Sequence, residues 1–215
     1  MSINLLSQLG VKGALDVMAC NWAAVNLFYY LEYRLNGTIP LKPLRRGYSI
    51  RKAESADIER LQTSLPGLNV DDRKALITRI LFYRRGIKGC FLVNDAYGEP
   101  AFIQWLVLPE DNEVLSQQYP GRFPKLKPDD AFIENAFCFP RHRALGWLPE
   151  VTQRLMNHAG KKGAKRCLAL IRVDNLPALN TFTSLGFRIR QLVHETKLLG
   201  RARRQFERKQ YESAA

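Results

Sequence analysis

Cysteine and histidine are scarce in this chain of 215 residues, and their positions form no metal-binding pattern. No two of the four cysteines have CxxC spacing; they are Cys20, Cys90, Cys138 and Cys167. The three histidines are just as scattered and are His142, His158 and His194. Zinc sites draw their ligands from closely spaced pairs of such residues, so we predict no metal. Free thiols in a reducing cytoplasm are the expected state of the cysteines.

A long uninterrupted apolar run is also missing. Residues 13–35 are rich in apolar side chains, but polar and charged residues break the stretch: Asp16, Asn21, Asn26, Glu32 and Arg34. A spanning helix needs about 20 mostly apolar residues, and a secretory signal needs a cationic start before an apolar core. The sequence has neither, so we predict no transmembrane segment and a cytoplasmic protein.

The same stretch has apolar residues at spacings of three and four, which favours an amphipathic N-terminal helix. These residues are Leu15, Met18, Trp22, Val25, Phe28 and Leu31. The apolar face would pack on the main domain or on a second subunit, forming a homodimer. Membrane-surface docking is the alternative, because five cations follow: Lys42, Arg45, Arg46, Arg51 and Lys52.

Acidic residues are too few to balance the basic ones. The chain has 33 Lys and Arg against 20 Asp and Glu, which gives a net charge of +13. Such an excess favours anionic partners: nucleic acid, an acidic membrane, an acidic carrier protein or a phosphorylated cofactor. Solubility alone is the competing explanation.

Periodicity and turn residues divide the rest of the chain into strands and helices. Strands are predicted at 47–53, 89–95, 100–108, 131–139, 165–171 and 187–199, the second and third joined as a hairpin by the turn at Gly98. Helices are predicted at 54–61, 71–83, 147–158 and 175–185, and residues 109–130 are predicted to be a long loop. This order indicates an α/β domain around a single mixed sheet, antiparallel in the first half and parallel where a helix intervenes.

Three regions follow from these patterns. Residues 1–47 are the N-terminal amphipathic helix and a linker with two prolines, Pro40 and Pro43. Residues 48–199 are the α/β domain, and residues 200–215 are a basic tail for which we predict a helix.

The loop between the strand at 131–139 and the following helix has the chemistry of an anion site. Pro140 stops strand pairing, and Gly146 lets a ligand approach the backbone closely. The N–H groups of a helix's first turn point back into such a loop, where the helix dipole favours negative charge. Arg141 and Arg143 add positive charge. A solvated basic turn before an ordinary helix is the alternative interpretation.

Residues 143–148, with the sequence RALGWL, resemble the acyl-CoA-binding signature of the GNAT superfamily of N-acetyltransferases. That signature has Gln or Arg, two free positions, Gly, one free position, and then Gly or Ala. Arg143 and Gly146 match it, and Leu148 departs from it. The strand at 131–139 resembles the one that precedes the signature. Residues 174–187 resemble a later motif through Asn175, Ala178, Phe182, Gly186 and Phe187. The resemblance covers residues 48–199.

The resemblance implies a sheet in which a parallel pair of strands splays apart to admit acetyl-CoA or another acyl-CoA as co-substrate. Backbone groups of Phe137, Cys138 and Phe139 would pair with the pantetheine, and an N–H near Cys138 would polarise the thioester carbonyl. Asn175 would contact the cofactor arm, and Phe182 would lie beside the thiol. The pyrophosphate would be held by backbone N–H groups of Arg143, Ala144, Leu145, Gly146, Trp147 and Leu148.

The implied reaction is direct transfer of the acyl group to an amine, which needs a base. Strand alternation would put Phe132, Glu134, Ala136 and Cys138 on one face, so Glu134 is the candidate base. A carboxylate paired with a cation is the alternative for Glu134, and Glu195 is a second candidate. A Cys138–His142 nucleophile is disfavoured by their spacing.

Two departures bear on activity, and they leave rival functions open. Leu148 replaces a small residue in the loop, and Phe182 stands where a tyrosine often protonates the leaving thiolate. An acyl-CoA-binding domain without catalysis is therefore one alternative. Acyl transfer from an acidic carrier protein and nucleic-acid binding through the tail are the others. The acceptor is expected to be an amine, and the basic charge favours an anionic one.

Overall fold

The computed structural model describes residues 23–198 and 201–207, and within them eight strands and five helices are found. The strands are β1 (Ala23–Arg34), β2 (Ser49–Lys52), β3 (Cys90–Asn94), β4 (Pro100–Val107), β5 (Asp130–Cys138), β6 (Arg166–Arg172), β7 (Arg188–Leu198) and β8 (Arg201–Phe206). The helices are α1 (Ser55–Thr63), α2 (Val70–Arg84), α3 (Asn112–Gln118), α4 (Trp147–Lys161) and α5 (Leu176–Ser184).

The strands form one mixed sheet in the order β2-β3-β4-β5-β6-β1-β7-β8. Each neighbouring pair is antiparallel except β5 and β6, which are parallel and joined through α4. A parallel pair requires such a crossover connection, whereas a short hairpin can join antiparallel strands, as it joins β3 and β4. The predicted mixed sheet flanked by helices, with an antiparallel first half and one parallel pair, is confirmed.

Helices cover both faces of the sheet and divide the core into two clusters. The first lies against α1, α2 and α3 and includes Leu61, Leu76, Ile80, Phe82, Trp105, Phe132 and Leu168. The second lies against α4 and α5 and includes Leu31, Phe102, Trp147, Val151, Leu155, Cys167 and Phe182. The spacing of Trp147, Val151 and Leu155 places them on one face of α4, which explains how this helix buries itself.

The predicted N-terminal helix is wrong for the part that the structure describes. Residues 23–34 are strand β1, inserted between β6 and β7; residues 13–22 of the prediction lie outside the described residues. Odd-numbered Tyr29 and Tyr33 pack into the α4 cluster, whereas Tyr30 packs on the opposite side. This alternation of two is that of a strand, and the four aromatic residues of the segment favour it.

Two further predictions are corrected. Residues 201–206 are strand β8 instead of a helix, and they pair with β7 from Val193 to Leu198. The segment 109–130 is not loop throughout, because α3 and a short 3₁₀ turn, Pro109–Asp111, lie within it. The backbone N–H of Arg204 donates to the carbonyl of Gly121, so the end of this segment is fastened to β8.

Candidate functional site

The parallel strands β5 and β6 separate after three residue pairs. Their pairing runs from Asp130 with Arg166 to Phe132 with Leu168, yet β5 continues to Cys138 and β6 to Arg172. The gap between them is a cleft with a volume of about 420 Å³. It is lined from β5 and β6 by Ile133, Glu134, Ala136, Cys138, Ala169 and Ile171, and from other elements by Phe28, Arg79, Leu148, Asn175 and Phe182.

A β-bulge in β5 sets which side chains face each end of this cleft. Trp105 of β4 lies opposite Glu134, but Ile103 lies opposite Phe137, so β5 has one extra residue. Asn135 absorbs it with a φ of +58°, a left-handed conformation that asparagine tolerates better than most residues. A bulge reverses the alternation of side chains beyond it.

The prediction that Phe132, Glu134, Ala136 and Cys138 share one face is therefore wrong. Phe132 packs into the cluster against α1–α3, whereas Ala136 and Cys138 pack against the cluster of α4 and α5. Glu134 directly precedes Asn135 of the bulge, and it lies in the wall of the cleft.

Arg79 of α2 holds the backbone of the bulge through hydrogen bonds. Its Nε donates to the carbonyl of Asn135 at 3.0 Å, and its terminal nitrogen donates to the carbonyl of Ala136 at 2.6 Å. Burial lowers the pKa of Arg79 to about 10, which leaves it charged at neutral pH. Sequence reasoning missed this residue. An available signal was a cation among the apolar positions Leu76, Ile80 and Tyr83 of one helical face.

The backbone of Cys138 faces the gap, and that of Phe139 does not. The N–H of Phe139 donates to the carbonyl of Ala101 on β4 at 3.0 Å. Because neighbouring residues of an antiparallel strand point their polar groups to opposite sides, those of Cys138 turn towards β6. The backbone polar groups of Phe137, which lies opposite Ile103, point towards β4, as those of Phe139 do. Of the three residues predicted to pair with a ligand, the geometry favours Cys138.

The Cys138 thiol is not set up as a nucleophile. Its Sγ donates to the carbonyl oxygen of His142 at 3.3 Å, and burial raises its pKa. A nucleophilic cysteine needs a lowered pKa and a nearby base. The ring Nδ1 of His142 lies instead 3.3 Å from the hydroxyl of Tyr48.

The loop after β5 presents a row of backbone N–H groups at the start of α4. Ala144 and Gly146 both have positive φ, +62° and +79°, and Gly146 is the N-cap of α4. The N–H groups of Trp147 and Leu148, in the first helical turn, have no intrahelical partner. A Cβ placed on Gly146 would meet nothing within 4 Å, so the backbone is open to a ligand there. Backbone dipoles and the α4 axis together favour an anion at this position.

Arg143 is less available than the sequence suggests. Its guanidinium forms an ion pair with Asp72 in the first turn of α2, which fastens the loop to that helix. Leu145 is half-buried against the α4 cluster. The backbone of the loop is therefore open, the Arg143 side chain holds the loop in place, and anion binding by residues 143–148 stays a prediction.

The remaining predicted contacts lie together on the α4–α5 side of the cleft. Asn175 is the N-cap of α5, and its Oδ1 accepts from the N–H of Ala178 at 3.3 Å. Phe182 is buried and packs edge-on against Phe187 at 4.9 Å between ring centroids. Leu148 lines the cleft wall beside them. Its isobutyl group thus packs along the cleft, and the open space at the loop is above Gly146.

The two candidate bases, Glu134 and Glu195, have opposite electrostatics. Burial raises the pKa of Glu134, and the charges of Arg204, Arg122 and Arg79 offset that effect only in part. Its Oε2 is buried and has no hydrogen-bond partner within the described part of the chain. A buried carboxylate with a raised pKa and an open lone pair is suited to accept a proton.

Glu195 is committed to an ion-pair network. It is 1% exposed, and its carboxylate accepts from Nε of Arg204 at 2.8 Å and from Asn26 at 3.1 Å. Burial acts to raise its pKa, but Arg204, Arg122 and Lys197 outweigh burial and lower it. A carboxylate in this state is a poor base, so the geometry favours Glu134.

Two further observations concern all the described residues, 23–198 and 201–207. No three histidine, cysteine, aspartate or glutamate side chains in these ranges are grouped so that they could hold a metal ion. None of the helices α1–α5 is long and apolar enough to cross a membrane.

Comparisons with known proteins relate the chain to others by fold. No protein-family model matches the sequence, and no curated protein matches it significantly. Solved structures do match, and several of them carry GNAT names. A GNAT-family protein of Novosphingobium aromaticivorans is 17% identical over 80% of this chain and 64% of its own, with a TM-score of 0.54. A GCN5-related N-acetyltransferase of Sphaerobacter thermophilus is 11% identical over 90% and 56%, with a TM-score of 0.53.

The third match is a region of a larger fungal protein. It is a GCN5-related glucosamine N-acetyltransferase region in a multi-domain β-N-acetylglucosaminidase, 10% identical over 86% of this chain and 22% of that one, with a TM-score of 0.61. The chain thus spans less than two thirds of each of these proteins. The chain shares its overall fold with these structures, whose names are those of acetyltransferases. The chain has the fold of the GNAT superfamily, as its sequence predicts.

Proposed function

We propose that this protein transfers an acyl group, acetyl in the simplest case, from an acyl-CoA to an amine. The observation that carries the proposal is the splayed pair β5 and β6, whose cleft contains the unpaired Oε2 of Glu134. The loop that leads into α4 follows β5 directly, and Leu148 in the first turn of α4 lines the cleft. An elongated ligand with a phosphate at one end and an amide-rich arm fits this combination of an anion loop and a strand gap.

The chain's own residues would carry out the transfer as follows. The backbone N–H of Cys138 would donate to the thioester oxygen, and one such donor lowers a barrier by about 3 kcal/mol. The amine nitrogen bonds to the acyl carbon as the carbon–sulfur bond breaks. Glu134 takes the amine's proton, directly or through one water molecule. Phe182 has no hydroxyl, so the thiolate, with a pKa of about 8.5, leaves without a proton from that residue.

Binding of acetyl-CoA alone should raise the melting temperature. A ligand at 100 times its Kd adds about 2.7 kcal/mol to the free energy of unfolding, which is roughly 5–11 °C for a chain of this size. Thermal unfolding with and without acetyl-CoA, with desulfo-CoA and adenosine as controls for the arm and the nucleoside, measures this shift. A melting temperature that no acyl-CoA raises would refute the proposal. Release of free thiol with an amine panel then measures transfer itself.

Gly146→Ala should weaken acetyl-CoA binding at least tenfold, because the methyl group enters the open space over the loop N–H groups. Gly163 is a matched control, since it follows the other end of α4, has a φ of +91° and also meets nothing within 4 Å. Both substitutions strain a left-handed residue by about 1–2 kcal/mol. Equal acetyl-CoA affinity of the two variants, measured by calorimetry, would contradict the assignment of the loop.

An acyl-CoA-binding protein without catalysis is the second candidate, and Phe182 favours it. It predicts the same melting shift with acetyl-CoA and no thiol release with any amine. Other sequence predictions stay predictions: a cytoplasmic location, an acidic carrier protein as donor, a homodimer through the N-terminal segment, and nucleic-acid binding by residues 200–215. The described part of that tail, β8, is a strand within the sheet.

A further inference from the structure

A second and larger cavity lies on the sheet edge formed by β7 and β8. Its volume is about 900 Å³, within the range of small-molecule sites. One wall is the chain after α3, from Gln118 to Arg122, and the other is β8. Arg85, which follows α2, closes one side. None of the described residues that line the cavity is an aspartate or a glutamate, and three are arginines: Arg85, Arg122 and Arg203.

Many arginines of the described residues are paired closely with carboxylates, but those of this cavity are not. Arg51, Arg143 and Arg204, for example, each form a close ion pair. Among the residues that the structure describes, Arg85 and Arg203 form none. Arg122 forms only a loose ion pair: its Nε lies 3.9 Å from Oε2 of Glu195 and makes no hydrogen bond. Guanidinium groups that no carboxylate contacts closely are suited to bind an anionic ligand.

The aromatic ring of Tyr119 holds two of these arginines in position without neutralising them. The guanidinium carbon of Arg85 lies 5.1 Å from the ring centroid, and that of Arg122 lies 5.7 Å from it. Cation–π contacts fix a guanidinium while leaving its N–H edge available. Carboxylates and phosphates bind such edges through two parallel hydrogen bonds.

Arg122 and Arg204 connect this cavity to the acyl-transfer cleft. Arg204 donates from its terminal nitrogen to the carbonyl of Arg122 at 2.6 Å, and its guanidinium lies 4.7 Å from the ring of Phe28, which lines the cleft. Both arginines act electrostatically on Glu134. These contacts join the wall of the cavity to the wall of the cleft that contains the candidate base.

We infer that this cavity binds the acidic group of the acceptor, and that the acceptor is a small amine bearing a carboxylate or a phosphate. The assignment of the ligand as the acceptor rests on the proposed acyl transfer. The anion site itself rests on the three arginines. Arg122 and Arg85 bind the acidic group beside Tyr119, and the amine points through the Phe28 side of the cleft to Glu134.

The test compares amines that differ in one charged group. Glycine is compared with glycinamide, and O-phosphoethanolamine with ethanolamine; spermidine is the cationic amine. Acyl transfer from acetyl-CoA is followed by thiol release, and binding of each amine to the full chain is measured by calorimetry without acetyl-CoA. We expect each anionic amine to exceed its neutral partner at least tenfold in kcat/KM and in affinity. Whichever of glycine and O-phosphoethanolamine is the better substrate shows whether the site prefers a carboxylate or a phosphate.

Two variants with the same change in net charge make the test specific to the cavity. Arg85→Gln removes a cavity arginine, whereas Arg84→Gln removes its neighbour, which bonds to Gln62 and does not line the cavity. Arg85→Gln and Arg122→Gln should each lower the preference for anionic amines at least tenfold, with acetyl-CoA affinity unchanged. Arg84→Gln should leave the preference within twofold of the wild type.

The outcomes separate this inference from the proposed function. Anionic amines that bind no better than their neutral partners, or Arg85→Gln and Arg84→Gln with equal effects, would overturn the inference even if transfer occurs. Anionic amines that bind and depend on Arg85, with no acetyl-CoA binding, would support the anion site and refute the acyltransferase.

Discussion

Glu134→Gln should lower kcat/KM for acyl transfer by about 10²–10⁴, the contribution of a positioned general base. The substitution keeps the shape of the side chain and removes its ability to accept a proton. Because burial raises the pKa of Glu134, the wild type should gain activity with rising pH as this carboxyl ionises. The variant should lose that limb of the profile and keep the wild-type affinity for acetyl-CoA.

The same substitution should not destabilise the protein, and this separates a base from a structural carboxylate. A group whose pKa is higher in the folded state than in the unfolded state stabilises the fold only at low pH, and that stability is lost as pH rises through the folded pKa. Glutamine carries no charge at any pH. The variant should therefore melt at or above the wild-type temperature at pH 8, by scanning calorimetry. Activity within threefold of the wild type, with an unchanged pH profile, would exclude Glu134 as the base.

The splayed cleft was predictable in outline because its parts are local in sequence. A strand that ends at a proline, a glycine-containing loop and an amphipathic helix are each visible in residues 131–158. Side-chain alternation could not predict the bulge, because the bulge arises from the backbone conformation of Asn135, whose φ is +58°. Its signal was the polar pair Glu134 and Asn135 in an otherwise apolar strand, where asparagine is disfavoured.

The place of β1 was not predictable, for a different physical reason. A strand inside a sheet that is covered on both faces is apolar on both faces, so it has no clear period of two. Its apolar residues therefore also fit spacings of three and four, and a helix was predicted. The basic cavity combines Arg85, Arg122 and Arg203, which are separated by dozens of residues. Contacts between distant segments bring them together: Arg85 lies against the Tyr119 ring, and β8 bonds to the backbone of Gly121. Because these residues are far apart in sequence, no local pattern predicts the cavity.

Glu195→Gln should have the opposite effect on stability from Glu134→Gln. The Arg204 side chain is only 5% exposed, and its close partner is Glu195. Breaking a buried ion pair by removing one partner costs about 3–5 kcal/mol, because the other charge stays buried. At roughly 2–4 °C per kcal/mol, the melting temperature at pH 7 should fall by about 6–20 °C. Chemical unfolding at the same pH measures the loss of free energy directly.

The pH dependence and a matched control give this prediction its sign. The pKa of Glu195 is lowered in the folded state, so its stabilisation is present above the ordinary carboxyl pKa and is lost as pH falls through the folded pKa. The difference between wild type and variant should therefore shrink in acid. Glu207→Gln is the control, because Glu207 pairs with His194 across β7 and the end of β8 where both side chains are partly exposed. Its cost should stay below about 1 kcal/mol.

Glu195→Gln should also change the chemistry of the cleft through Arg204. Once released from Glu195, the guanidinium of Arg204 has one fewer carboxylate to neutralise it, and removal of the Glu195 charge also removes a repulsion from Glu134. Both changes favour the ionised form of Glu134, so its pKa should fall. The rising limb of kcat/KM should then move to lower pH in the variant, measured below its melting temperature. A limb that stays in place would show that the two carboxylates are not coupled, and Glu195 would then act on stability alone.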